Sequence, residues 1–246
     1  LVLSLLLAGM TTSLQAADLY AIIVGDTDAY DVRPFIEQDI RLVREEMGRV
    51  AYYTGMNLKE MVFVNEHAKG SFLAELDKLN VQPEDVIVFY WNGHGKRDEK
   101  SAWPKLIVTE TTDSIDHWQL TQKLMEKNPR FLLSIAASCN RFDSEMKVEK
   151  SEDALLSSND EAQIEKNYRT LFLEQKGVWI ASSTAPGEYS WINPEKGAEY
   201  YTLALLDRIH DSVENGVNVK WETILDETTE EMADMQTPHY TIISKK

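Results

Sequence analysis

Short apolar runs alternate with helical periodicities along most of this chain. Five runs are rich in Val, Ile, Leu or aromatic residues: Leu19 to Gly25, Met61 to Asn65, Val86 to Trp91, Phe131 to Ala137 and Gly177 to Ser182. Each is bounded by polar residues or glycine, and the pattern predicts strands covered on both faces. Between them, residues 35–53 carry Ile40, Val43, Met47 and Val50 at three- and four-residue steps, which places them on one helix face. Residues 71–79, 117–125, 198–213 and 221–232 predict further helices, and "WPKLIVTE" a small β excursion after the third strand. Strand and helix in alternation predict an α/β fold, a parallel sheet between two layers of helices. Residues 141–168 break the pattern. They are polar, with few apolar anchors beyond Leu155 and Leu156, and predict a mobile surface loop with at most a short helix. With no internal repeat and no Pro- or Gly-rich linker, residues 18–246 read as one domain.

The first 17 residues stand apart. "LVLSLLLAGM" is apolar and "TTSLQAAD" supplies small residues, as in a secretory signal peptide cut near Ala16 or Ala17. The sequence lacks the basic leader of such a signal, so the segment reads as one truncated at its start. It predicts export, to the periplasm or beyond the cell. The apolar run is too short for a stable membrane anchor, which needs about 20 such residues.

Charge and cysteine content narrow the chemistry. Asp and Glu number 41 against 25 Lys and Arg, a formal charge of -16. A protein that tracks phosphates needs the opposite balance, so nucleic acid is not an expected partner. The one cysteine, Cys139, excludes an intrachain disulfide framework and a multi-thiolate zinc site. His67, His117, His210 and His239 show no metal-ligand spacing, and neither a P-loop nor a G-x-S-x-G turn is present. No cofactor is expected; Ca²⁺ binding by the acidic loop stays open, although regular ligand spacing is absent there.

In open parallel sheets, functional residues gather at the carboxyl ends of the strands. His94 follows the third predicted strand, in "VIVFYWNGHG", and Cys139 follows the fourth, in "FLLSIAASCN". Neighbouring strands lie about 4.8 Å apart, so the two side chains can meet as nucleophile and base. Gly93 lets the chain turn off the strand end. Gly95 lets a backbone N–H face the site, and with the N–H of Cys139 forms a candidate oxyanion hole.

These segments resemble the His and Cys motifs of the caspase-like cysteine peptidases, the group of caspases, metacaspases and bacterial caspase-like proteins. The likeness extends over most of residues 18–246. "LYAIIVGDTDAY" resembles the family's first strand and loop, and "FIEQDIRLVREEM" its first helix, with Asp39 at a recurrent acidic position. "GVWIASSTAPGEYSW" with "GAEYYTLALLDRI" is similar to the fifth strand and following helix. "QTPHY" resembles a segment near the end of many bacterial members. The resemblance implies a mainly parallel six-stranded sheet and hydrolysis of peptide bonds in protein substrates by a Cys139–His94 dyad, through a thioester. The loop after Cys139 stands where caspases are cut during maturation, with Lys147, Lys150, Asp153 and Asp160 as candidate cleavage points.

The chain departs from the family in its pocket. Many members carry a carboxylate two positions before the cysteine, which in metacaspases helps bind a basic P1 side chain; here that residue is Ala137. Two before the histidine, metacaspases use Ser, and this chain has Asn92. Arg33, six residues before Asp39, matches the spacing of a caspase arginine that binds a P1 Asp. Ser182 and Ser183 lie in the loop that lines the family's cleft. P1 preference stays open between basic, acidic and neutral. The altered pocket also motivates a second reading, a catalytically weak domain serving as a binding or regulatory module.

Overall fold

The computed structural model describes residues 16–108, 114–141, 147–148 and 160–244. The apolar segment read as a signal peptide lies outside them, apart from Ala16 and Ala17, and so does most of the polar stretch after Cys139.

The central sheet has six strands: β1 (Asp18–Gly25), β2 (Asn57–Val64), β3 (Val86–Asn92), β7 (Phe131–Ala137), β9 (Gly177–Ser182) and β12 (His239–Ile243). Their order is β12-β9-β7-β3-β1-β2, with every neighbouring pair parallel except β12 and β9. Helices α1 (Arg33–Thr54), α4 (Glu161–Phe172), α5 (Tyr200–Asn215) and α6 (Trp221–Glu231) cover one face. Helices α2 (Ser71–Asp77) and α3 (His117–Met125) cover the other.

Alternation along the strands explains the two cores. Ile22, Val24, Phe89, Trp91, Leu132 and Ala136 face α2 and α3, whereas Ile23, Tyr90, Leu133, Ile135 and Ala137 face the four-helix layer. This is an α/β/α sandwich with a mainly parallel six-stranded sheet, as the resemblance implies. The sixth strand was not among the five apolar runs; its residues are only half-buried, as suits an edge.

Two expectations need correction. The second strand begins at Asn57 and is an edge strand whose first half is exposed, so it is not covered on both faces. The stretch read as loop to Tyr168 instead becomes α4 from Glu161. Asp160 caps that helix by accepting from the Ala162 N–H at 3.0 Å. Ile164, Tyr168, Leu171 and Phe172 are buried, and Tyr168 donates to the buried Glu46 of α1 at 2.9 Å.

Two small sheets flank the strand ends. Strands β4 (Gly95–Lys96), β5 (Lys105–Ile107) and β6 (Ser114–Asp116) form an antiparallel meander, the predicted excursion. Strands β8 (Lys147–Val148), β10 (Trp191–Asn193) and β11 (Ala198–Glu199) form the other. Among the described residues, no helix is long and apolar enough to cross a membrane.

Candidate active site

The register of the sheet sets the positions of the two reactive side chains. Strands β3 and β7 pair in parallel, with Asn92 opposite Ala137. His94 and Cys139 each follow that pair by two residues, so they leave neighbouring strand ends side by side. The Gly93 N–H donates to Ala137 O at 3.4 Å, and the Asp26 N–H, from the loop after β1, donates to Asn92 O at 2.9 Å. Three strand ends are thereby tied together. They lie where successive crossovers leave β1 in opposite directions, the usual place for a cleft in an open α/β sheet.

Both glycines beside His94 are required by space. Gly93 has φ +155°, and a Cβ there would lie 2.8 Å from the Asp26 Cβ. A Cβ on Gly95 would collide with Cys139 O and sit 2.7 Å from Ser138 Oγ and 2.9 Å from Ser138 Cβ. The chain after the histidine thus runs directly against the chain around the cysteine. Gly95→Ala is expected to destabilise the protein by about 1–3 kcal/mol, because the Cys139 carbonyl and the buried Ser138 side chain resist the added methyl. Urea unfolding measures this; an unchanged midpoint would mean that the two segments separate freely.

Cys139 is 1% exposed, and its Sγ accepts from the Ser190 N–H at 3.3 Å. Ser190 belongs to the loop after β9, which lies along the end of β7. Ser183 Oγ accepts from the Ser138 N–H at 2.9 Å and donates to Ser138 O at 3.1 Å. Gly187 N–H donates to Asn140 O, and Asn140 N–H to Glu188 O. Ser182 turns to Thr184 O instead, at 3.2 Å. Gln236, from the Gln-Thr-Pro segment, bridges the loop's ends: its amide donates to Ser183 O at 2.7 Å and accepts from the Trp191 N–H at 2.9 Å. Glu188 accepts from the Thr237 N–H at 2.7 Å and from its hydroxyl at 2.9 Å.

Beneath this corner lies a buried acidic pair. Asp39 projects from α1, accepts from the Asn92 amide, and accepts from the Glu199 N–H at 3.1 Å. Asn92 also donates to the Tyr90 hydroxyl at 3.1 Å. Glu199, which precedes α5, is 1% exposed, and neither of its carboxylate oxygens makes a geometrically sound hydrogen bond among the described residues. Ser183 comes near enough to favour its charged form nonetheless. Burial pushes both carboxyls well above the usual range; the neighbouring Asp39 charge raises Glu199 further, while the Glu199 N–H and the Asn92 amide oppose the shift on Asp39.

Sequence residues 19–245 match the caspase domain model of peptidase family C14. The chain belongs to the caspase domain family. No curated protein matches it. Membership makes this caspase domain a cysteine peptidase in its general class, with proteins as substrates.

Of the residues singled out from the caspase-domain pattern, His94, Gly95, Asn92, Ala137, Cys139, Ser183 and Asp39 gather at one corner. Arg33 does not join the acidic pair. Its Nε donates to Thr27 O and its Nη2 lies 3.9 Å from Asp28, which holds it along the β1–α1 loop. Glu199 and Gln236 were not recognised from sequence as parts of the corner, whereas Ser190 lies in the loop expected to line the cleft. The His117 ring is buried against Ser134, at 2.9 Å, and burial pushes its pKa down to about 3, so it serves the core. Among the described residues, no group of three or more His, Cys, Asp and Glu is arranged to hold a metal ion.

Proposed function

We propose that this chain is a cysteine endopeptidase with Cys139 as nucleophile, His94 as general acid and base, and a preference for a basic P1 side chain. The observation that carries the dyad is the β3–β7 register, which sets His94 and Cys139 at equal steps beyond one pair. The thiol gives its proton to His94, and the thiolate attacks the scissile carbonyl carbon. The N–H groups of Gly95 and Cys139 are assigned to the resulting oxyanion, in a location where such donors are worth several kcal/mol. Collapse breaks the C–N bond; the leaving amine takes the proton from His94, and a thioester remains. His94 then removes a proton from water, which attacks the thioester, releases the new carboxyl terminus and restores the thiol.

The P1 assignment rests on Glu199. Ala137 supplies no carboxylate, but Glu199 brings one to the same corner from β11, next to Asp39. A guanidinium or ammonium entering there meets two carboxylates with unused acceptor capacity. Arg33, the candidate for an acidic P1, is engaged elsewhere.

A peptide library varied only at P1 tests both parts. Cleavage after Arg and Lys is expected. Cleavage after Asp would overturn the pocket assignment, and no cleavage at any P1 by folded protein, with and without Ca²⁺, would overturn the peptidase assignment.

A further inference from the structure

We infer that Asp31 is a positioning residue for His94, a third member that selects which ring nitrogen serves the thiol. The inference rests on the reading of His94 as the acid–base residue. Asp31 lies in the loop between β1 and α1, two residues before Arg33. Its Oδ1 stands 3.5 Å from His94 Nε2, an ion-pair distance. The other ring nitrogen, Nδ1, is buried and has no hydrogen-bond partner among the described residues. A neutral imidazole carries one proton, and the hydrogen bond made by one nitrogen fixes the role of the other. With Nε2–H held by Asp31, Nδ1 keeps its lone pair for the Cys139 proton. Once that proton arrives, the ring is an imidazolium, and the Asp31 carboxylate stabilises it.

The loop that carries Asp31 is itself held. Its first residue is tied to β3 through the Asp26 N–H, and Thr27 Oγ1 bonds Asn65 Oδ1 at 2.7 Å. Asp26, Asp28, Lys69 and Arg33 are the other charges around this loop among the described residues, Arg33 being held on Thr27 O beside Asp28. Lys69 pairs with Asp28 at 2.6 Å, so Asp28 is already engaged. Asp26 also lies close to His94, but burial holds its carboxyl above the usual range, against the opposing influence of His94 and Lys69. Asp31, with a side chain 63% exposed, is the carboxylate within ion-pair distance of the ring. The 3.5 Å separation is long for a hydrogen bond, as such contacts often are before substrate binds.

The test separates orientation from general damage and from peptidase activity itself. ¹⁵N-histidine NMR at pH 8.5 is recorded on Cys139→Ala protein, where no thiol competes for the ring, with the His94 signal assigned by its loss in a His94→Gln variant. The expected result is a ring protonated at Nε2. Adding Asp31→Ala is expected to shift the population toward the Nδ1-protonated form, whereas Asp26→Asn is expected to leave it unchanged. In the otherwise wild-type enzyme, Asp31→Asn is expected to lower kcat about threefold to fivefold with KM unchanged and to move the acid limb of the kcat profile, consistent with a partly exposed charge pair. Asp31→Glu is expected to restore most of that loss. An unchanged tautomer in Asp31→Ala overturns the inference even if activity falls, because the loss would then be structural. A tautomer that responds to Asp26→Asn instead also overturns it. The expected tautomer shift in a protein that cleaves no peptide would uphold the role of Asp31 and count against the peptidase reading alone.

Discussion

Cys139→Ala, His94→Ala and the double variant are expected to lose kcat/KM by about the same factor, roughly 10³-fold or more on the best library peptide. A thiol and an imidazole that share one proton act as a unit. Once the sulfur is gone, His94 has no nucleophile to deprotonate; once the imidazole is gone, the thiol has no partner to hold its proton. Removing the second partner therefore costs little more. The fold should survive, since Cys139→Ala deletes one buried atom and the contact from the Ser190 N–H, worth about 1 kcal/mol. Circular dichroism and kcat/KM on the same preparations decide the matter. Activity persisting in Cys139→Ala would remove the nucleophile assignment, and single losses that multiply in the double variant would show that the residues act separately.

Glu199→Gln is expected to lower kcat/KM for Arg and Lys at P1 by about 10²-fold, while a neutral P1 is spared, because it removes one half of a buried charge pairing. The same substitution should stabilise the free protein at high pH. Burial raises the Glu199 and Asp39 carboxyls in the folded chain, so the folded state holds protons that the unfolded state releases. That contribution is fully present below the usual carboxylate range and is lost as pH climbs through the raised folded value. Replacing Glu199 by its neutral isostere removes part of this loss, so the Tm-against-pH curve should fall less steeply above about pH 5. A cationic P1 works in the other direction, because it favours the ionised pair. Cleavage after Arg, relative to a neutral P1, is therefore expected to rise with pH in the wild type and to flatten in Glu199→Gln. Equal losses for Arg and neutral peptides would mean that Glu199 holds the site's shape and does not read the side chain.

Much of this corner could be read from the chain, and the reasons are physical. Strands covered on both faces are continuous apolar runs, so β1, β3, β7 and β9 were recognisable at nearly their observed lengths. His94 and Cys139 each stand just past the end of such a run. Other parts were hidden. Strand β2 is half exposed, so its first four residues, with Leu58 alone apolar among them, make no apolar run. Helix α4 opens with a polar turn, which joined it to the loop before it although Ile164, Tyr168, Leu171 and Phe172 follow helical spacing. Glu199 looked like an acidic residue at the start of a helix, where such residues are common for reasons of dipole alone. Only the packing of β11 against α1 reveals that it faces Asp39. Asp31 and Gln236 reach the corner from 63 and 97 residues away from their nearest reactive partners, His94 and Cys139, and no local pattern marks such contacts.

The position of Gln236 also sets an order of assembly during synthesis. The loop that seats the cysteine sulfur is closed by a side chain lying 97 residues further along, just before the strand that completes the sheet. A ribosome has translated both reactive residues long before that amide leaves the exit tunnel. A nascent chain therefore carries His94 and Cys139 before the side chain that braces the neighbouring loop has been made.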